Sequence, residues 1–165
     1  MLTFLRGAPS GREAIAVHEL IAEVVQVIEP QMSDKRVELR VDLQCDLVRV
    51  RGDRKALIGA LTNLLENALQ ASQPGNTVRL GVRADSIRLE ISVSDQGKGM
   101  SPEVQRRLFE PFFTTRPEGT GLGLAIMRSV IDAHGGDVEV KSEPGRGTTF
   151  LVWLPVQALA AESAA

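Results

Sequence analysis

The sequence holds a single cysteine, Cys45, and only two histidines among its 165 residues. One thiol excludes an internal disulfide, and the chain fits a reducing cytosol. Cys45 has no Cys or His partner at metal-ligand spacing, so it reads as a small buried or edge thiol and not as a ligand. A charge excess is missing too: 19 Lys and Arg against 21 Asp and Glu leave a net −2, with a pI of about 5.7. That balance removes the electrostatic case for binding DNA or RNA. No apolar run is long enough to span a bilayer. The opening MLTFLRG is too short for a signal peptide and has no charged residue ahead of its apolar run. Internal repeats are absent. These absences leave a cytoplasmic chain without membrane contact, long enough for one domain with its own core.

What is present is a succession of periodic segments. Residues 1–12 end in GAPSG, a loop composition, and MLTFL before it reads as the stub of a helix. Ile15, Leu20, Ile21, Val24, Val25 and Ile28 recur at helical spacing in the stretch Ile15 to Met32. Pro30 lies late in that stretch, where it would bend or end a helix. VELRVDL (37–43) and LVRVRG (47–52) alternate like strands with one wet face. Asp53 occupies an N-cap position before a helical stretch from Lys55 to Ser72. QPGN is a turn, and TVRLGVRA (77–84) and SIRLEISVSD (86–95) alternate again. Residues 96–120 are rich in Gly, Pro, Thr and Arg, broken by one short apolar piece at Leu108–Phe109. A loop of that length inside a compact domain is usually functional or mobile. Gly121 to Ala133 is helical, HGGD stops it, and DVEVKS and TTFLVWLP are two more strands joined by EPGRG. The tail QALAAESAA is expected to fray. This order predicts an α+β sandwich, one mixed sheet with helices packed on one face.

Three places carry residues that suit chemistry. On the 55–72 helix, Asn63 and Asn67 are four apart and Gln70 follows three later, so they share one face beside a stripe of leucines. Asparagine is a mediocre helix former, so two on one face need a reason. One is a solvated polar stripe. Another is that a carboxamide oxygen suits a hard cation such as Mg²⁺, which takes few protein ligands and completes its shell with phosphates and water. In SVSDQGKGMS a strand ends in Asp95, followed by Gly97 and Gly99. That Asp could accept a hydrogen bond from a planar base; the same residues are also good turn chemistry. In GTGLGLAI (119–126) a loop feeds a helix N-terminus, where free N–H groups and the dipole favour an anion. Leu124 stands where a dinucleotide fingerprint has its third glycine, and Gly97-Lys98 is followed by Gly99, so neither a Rossmann motif nor a P-loop fits. A hinge without a ligand is the alternative for these glycines.

Taken together, NLLENALQAS (63–72), DQGKGM (95–100), LFEPFFTT (108–115) and GTGLGL (119–124) resemble the N, G1, F and G2 boxes of sensor histidine kinases, in the family's order and spacing. The likeness runs from about Asp53 to Pro155. It implies the Bergerat-type two-layer α/β sandwich, with a mixed, mostly antiparallel sheet and a long ATP lid over residues 96–120. EPFFTT, NALQAS and the HGG turn most resemble the nitrogen-regulation and flagellar-control type, whose response regulators act at sigma-54 promoters. By resemblance, Asn67 would hold Mg²⁺ against ATP and Asn63 would lie beside the phosphates, the two serving as catalytic residues. Asp95 would receive the adenine amino group, with Gly97 and Gly99 closing over the base. Gly119, Thr120, Gly121, Leu122 and Gly123 would cradle the phosphates. Thr115, Arg116 and Gln70 would complete the nucleotide contacts, Arg116 as a lid cation. Phe109, Phe112 and Phe113 would close the lid or dock on a partner domain, or pack in the core.

Two departures from the family pattern matter. Many relatives carry Lys where this chain has Gln70. The gyrase-type ATPases carry a general-base Glu where this chain has Asn63, and an amide cannot take a proton from water at neutral pH. The site should therefore bind ATP without hydrolysing it well. Glu66 lies about 100° around the helix from Asn67 and is not assigned as a base. His18 lacks the two-helix hairpin of an acceptor and reads as a surface or cap residue; His134 reads as structural, at a helix C-terminus where a cation is welcome. The implied organisation is a remnant of a dimerisation helix over 1–12, a catalytic domain over 13–156 and a tail over 157–165. Its partners would be a His-bearing dimerisation domain and, through the full kinase, a response regulator; the chain alone would be a monomer that binds Mg·ATP and does not autophosphorylate. A nucleotide-regulated binding module of the anti-sigma-factor or degenerate-kinase kind, and a gyrase-type or mismatch-repair ATPase, are the alternatives. Anti-sigma kinases and these ATPases normally place an acidic residue at position 63.

Overall fold

A computed structural model describes residues 12–115 and 121–157. In chain order its elements are β1 (Arg12–Ala16), α1 (Val17–Lys35), β2 (Glu38–Gln44), β3 (Arg49–Asp53), α2 (Arg54–Gln70), β4 (Thr77–Ala84), β5 (Arg88–Asp95), α3 (Pro102–Arg107), α4 (Gly123–Ala133), β6 (Asp137–Ser142) and β7 (Thr148–Pro155). Five strands form one sheet in the order β2-β4-β5-β7-β6. Only the β2–β4 pair is parallel. The mixed, mostly antiparallel sheet expected from the sequence is therefore present.

Strand alternation decides which face the helices cover. Val78, Leu80 and Val82 of β4, Leu89, Ile91 and Val93 of β5, and Phe150, Val152 and Leu154 of β7 are all buried. Their neighbours at odd steps are not, so the apolar side chains all project to one face. Against that face lie Leu20, Val24, Ile28 and Met32 of α1, Leu57, Leu61, Leu64 and Leu65 of α2, and Met127 and Ile131 of α4. Burying each such side chain is worth about 1.5–3 kcal/mol, so this layer fixes how each helix is rolled.

Three local features differ from the sequence expectation. The helix predicted from Ile15 begins at Val17; residues 12–16 are instead a strand, paired antiparallel with β3 and placing Ile15 opposite Val50. The segment around 47–52 therefore joins this two-stranded ribbon and not the main sheet. Pro30 does not end α1, which runs on to Lys35. Pro30 and Gln26 both face solvent, so water can take the Gln26 carbonyl that the proline cannot serve. The predicted segments 1–11 and 158–165 lie outside the described residues.

His134 ties the ribbon to the helical layer. Its Nδ1 donates to the Val130 carbonyl at 2.7 Å, and its Nε2 accepts the Asp53 N–H at 3.0 Å. The structural role expected of it holds. It acts through these two hydrogen bonds. Asp53 is the N-cap of α2, accepting from the Ala56 N–H at 3.2 Å. The ring approaches so closely that a Cβ at Gly52 would collide with it. Gly52→Ala should therefore destabilise the fold by about 1–3 kcal/mol through overpacking. Urea denaturation followed by circular dichroism measures this, and a wild-type midpoint would refute it.

Candidate functional site

Helix α2 is two-faced. While Leu57, Leu61, Leu64, Leu65 and Ala68 are buried in the core, Asn63, Glu66, Asn67 and Gln70 turn outward along one side. These four form one wall of a cleft of about 280 Å³. The facing walls are Met100, Val104 and Leu108 around α3, then Phe113, Thr114 and Thr115, then Gly121, Gly123 and Leu124 at the start of α4. The cleft is polar along α2 and apolar along α3.

Asn63 joins two of these walls. Its side-chain nitrogen donates to the Gly123 carbonyl at 3.1 Å, tying α2 to the first residue of α4. One of its two N–H donors is thereby committed, and the other, with the carbonyl oxygen, is what the side chain can offer a ligand. Asn67 and Gln70 line the same cleft, as do Thr115, Gly121 and Gly123. Leu122 is the N-cap of α4 and does not line it. Arg116, Gly119 and Thr120 lie outside the described residues.

The loop after β5 is less open than the sequence implies. Ser101 caps a short helix, accepting the Val104 N–H at 3.3 Å, with Pro102 in the first turn. Gln105 donates to the carbonyls of Met100 and Ser142, both at 2.9 Å, and the Met100 N–H donates to Ser142 Oγ at 2.8 Å. The first part of the expected lid is thus stitched to the end of β6. Ser101-Pro102-Glu103 was the signal for this helix: a capping serine, a proline at the first position and an acid in the first turn. The apolar wall it carries went unpredicted.

The described residues on either side of 116–120 meet at Phe112 and Gly121. The Phe112 N–H donates to the Gly121 carbonyl at 2.8 Å. Gly121 adopts φ 76°, with its missing Cβ aimed at the Phe112 backbone. Phe112 itself has φ 70° and is 74% exposed. The three phenylalanines separate: Phe109 packs edge-on against Phe150 with centroids 6.3 Å apart, Phe113 lines the cleft, and Phe112 faces solvent.

Asp95, Gly97 and Gly99 do not line the cleft, although Met100 does. Asp95 is almost fully buried at the end of β5, and its Oδ1 accepts the Gly97 N–H at 2.8 Å. Burial pushes its carboxyl above the ordinary value, partly opposed by N–H donors from Gly97 and Thr148. A Cβ on Gly97 would meet the Ala71 carbonyl, and one on Gly99, at φ 73°, would meet that of Glu143. Close packing at the ends of α2 and β6 therefore requires glycine at both positions whether or not a ligand is present.

No group of three or more His, Cys, Asp or Glu side chains able to hold a metal exists among the described residues. The side-chain oxygens of the cleft are those of Asn63, Asn67, Gln70, Glu66, Thr114 and Thr115. They are hard ligands with a single carboxylate among them, which fits a cation such as Mg²⁺ that shares its shell with a bound phosphate. His18 is exposed at the start of α1.

Comparison with known proteins gives the family and the fold. Residues 52–158 match the family model described as "Histidine kinase-, DNA gyrase B-, and HSP90-like ATPase". The sensor histidine kinase ZraS of Escherichia coli K12 is 34% identical over 144 residues, covering 87% of this chain and 31% of ZraS. The mycobacterial sensor histidine kinase MprB superposes with a TM-score of 0.79 at 32% identity, over 89% of this chain and 99% of that one. Full-length ShkA in complex with AMPPNP gives a TM-score of 0.79 at 30% identity, over 89% of this chain and 31% of that one. The chain thus spans under a third of the length of ZraS. No helix among the described residues is long and apolar enough to cross a membrane.

The burial of Asp95 predicts a sign. Its folded pKa is raised above the unfolded value, so the native state holds the proton more tightly than the unfolded chain does. Stability is then lost as pH rises between those two values, and the cost is absent below both. Asp95→Asn keeps an acceptor for Gly97 and never ionises. Its stability relative to wild type should rise from acid to neutral pH in denaturant titrations; a difference independent of pH would contradict the assignment.

Proposed function

Because the chain belongs to the histidine kinase-, DNA gyrase B- and HSP90-like ATPase family, we propose that it is the ATP-binding catalytic domain of a sensor histidine kinase that donates the γ-phosphate to a histidine. That histidine belongs to a separate dimerisation domain, from which the phosphoryl group passes to a response regulator. Residues 13–156 form the catalytic unit in this reading. The observation that carries it is the cleft in which Asn63 and Asn67 of α2 face the first turn of α4.

Each wall has a task. The first-turn N–H groups of α4 and the dipole behind them attract phosphate oxygens. Asn63 holds that turn in place through the Gly123 carbonyl, so the phosphates meet donors already set at the right spacing. Asn67 offers a carboxamide oxygen to a divalent cation. When bound, that cation screens the triphosphate charge and orients the γ-phosphate. Asp95 lies outside the cleft lining, held by the Gly97 N–H; in this reading the base extends beyond Met100 and gives its amino group to that carboxylate. Met100, Val104 and Leu108 keep water from one side of the nucleotide. Position 63 carries an amide, which cannot deprotonate water, so the site keeps its γ-phosphate for a histidine.

Labelled ATP and a separate His-bearing dimerisation domain test this directly. Transfer to the histidine in trans supports the reading. Binding without transfer supports a nucleotide-regulated module, and steady phosphate release without a partner supports an ATPase. Asn67→Ala should weaken ATP binding in Mg²⁺ at least about tenfold, some 1.4 kcal/mol, with little change in EDTA. Calorimetric titration reads both, and unchanged affinity in Mg²⁺ removes the metal assignment.

A further inference from the structure

One edge of the main sheet is unguarded. Strand β2 stands at the end of the sheet and, among the described residues, pairs only with β4, residue for residue. It runs from Glu38 to Gln44 with no proline, lysine or bulge, devices that usually blunt such an edge. The Glu38 N–H donates to the Asn76 carbonyl, on the β4 side, at 2.9 Å. Backbone groups alternate sides along a strand, so those of Leu39, Val41 and Leu43 point away from the sheet. Their side chains share the face of Val78, Leu80 and Val82, the face that the helices cover. Cover is incomplete at the edge, where Val41 is 42% exposed and Leu43 40%.

The strand reads ELRVDLQ, which is self-complementary about Val41. Laid antiparallel on a second copy with Val41 opposite Val41, it sets Leu39 against Leu43, Arg40 against Asp42 and Glu38 against Gln44. Moving the centre by one residue would instead set Arg40 against Arg40 or Asp42 against Asp42. Within one copy the two charges have poor cross-strand neighbours: Arg40 stands beside Arg79 of β4, and Asp42 beside Gly81. The contacts they do make, Arg40 to Glu38 at 3.2 Å and Gln44 to Asp42 at 2.9 Å, lie in solvent and are easily exchanged. We propose that β2 docks on β2 of a second copy about a two-fold axis, joining the two sheets edge to edge. Leu39, Val41 and Leu43 then exchange backbone hydrogen bonds across the axis, and their side chains form one apolar row. No β2 residue lines the cleft, so the pairing leaves it open. The monomer expected from the sequence then holds only in dilute solution.

Sedimentation equilibrium of the chain, loaded up to about 1 mM, tests this. One short strand a side makes a small interface of the transient class, so the dissociation constant should be on the order of 0.1 mM. The mass should then climb from 17.9 kDa toward twice that as concentration rises. Arg40→Asp and Asp42→Arg each set like charges opposite one another on both sides of the axis, and each alone should weaken association about tenfold or more. An equimolar mixture of the two restores opposite charges at both places and should recover wild-type association as a mixed dimer. Val41→Pro removes an outward N–H that β4 does not use, and should be monomeric throughout. Circular dichroism checks that each variant is folded, and Val41→Pro decides the matter if a charge variant is not. A wild type that stays monomeric at the highest loading overturns the proposal and gives the edge to a different partner. Single variants that associate as wild type does, or a mixture no stronger than its components, overturn it as well.

Discussion

Burial of Leu57, Leu61, Leu64, Leu65 and Ala68 fixes the roll of α2, and that roll aims Asn63, Glu66, Asn67 and Gln70 into the cleft. The two sets are separate requirements placed on one helix, and their energies are unequal. Each buried leucine contributes about 1.5–3 kcal/mol, whereas a hydrogen bond such as Asn63 to Gly123 contributes about 1 kcal/mol. The leucines therefore decide where the polar face points, and the amides only have to match what they meet. A helix period of 3.6 lets both sets coexist, because Leu64 and Leu65 fall between Asn63 and Glu66 on the opposite side.

The remaining walls depend on close backbone approach. Gly121 against Phe112, Gly99 against Glu143 and Gly147 against Asp95 are each places where a Cβ would collide with a neighbouring segment, and all three glycines have positive φ. They hold the start of α4 against Phe112 and pin the end of β5 to the β6–β7 turn. Gly123 differs. It sits where a Cβ would find only ordinary contact with Asn63, so its neighbour's hydrogen bond, and not crowding, marks the position. Gly121 and Gly123 thus serve different physical ends.

Much of this was legible because the strongest signals are local. Strand β4 fell on the predicted residues, β5 began two later, and α2 and its Asp53 cap came within a residue or two, since alternation and helical spacing there record burial on a single face. The ribbon was not legible. Ile15 reads as the first apolar residue of the helical stretch that holds Leu20, but its actual partner is Val50, and nothing local to residues 12–16 announces a strand so far along the chain. The cleft was legible in its polar half alone. Asn63 and Asn67 are conspicuous mid-helix, whereas Met100, Val104 and Leu108 look like any apolar side chains until the contacts of Gln105 and Ser142 fold them over α2. Glu66 was set aside by its angle from Asn67. It still borders the cleft, because a cleft this wide accepts side chains from neighbouring angular positions on the helix.

The placement of Asn63 bears on why such a site would hold a nucleotide without cleaving it. A carboxylate at 63 could not donate to the Gly123 carbonyl, and two acceptors about 3 Å apart would push α4 away from α2. The amide therefore does two things that a base could not do together: it fastens the helix whose N-terminus faces the cleft, and it leaves no group at that point able to take a proton from water. Glu66, the carboxylate of the described cleft wall, lies one turn further along the same face of α2 and takes no part in that fastening. In the proposed reading, the same hydrogen bond that organises the phosphate-binding end also keeps the γ-phosphate intact until an acceptor arrives.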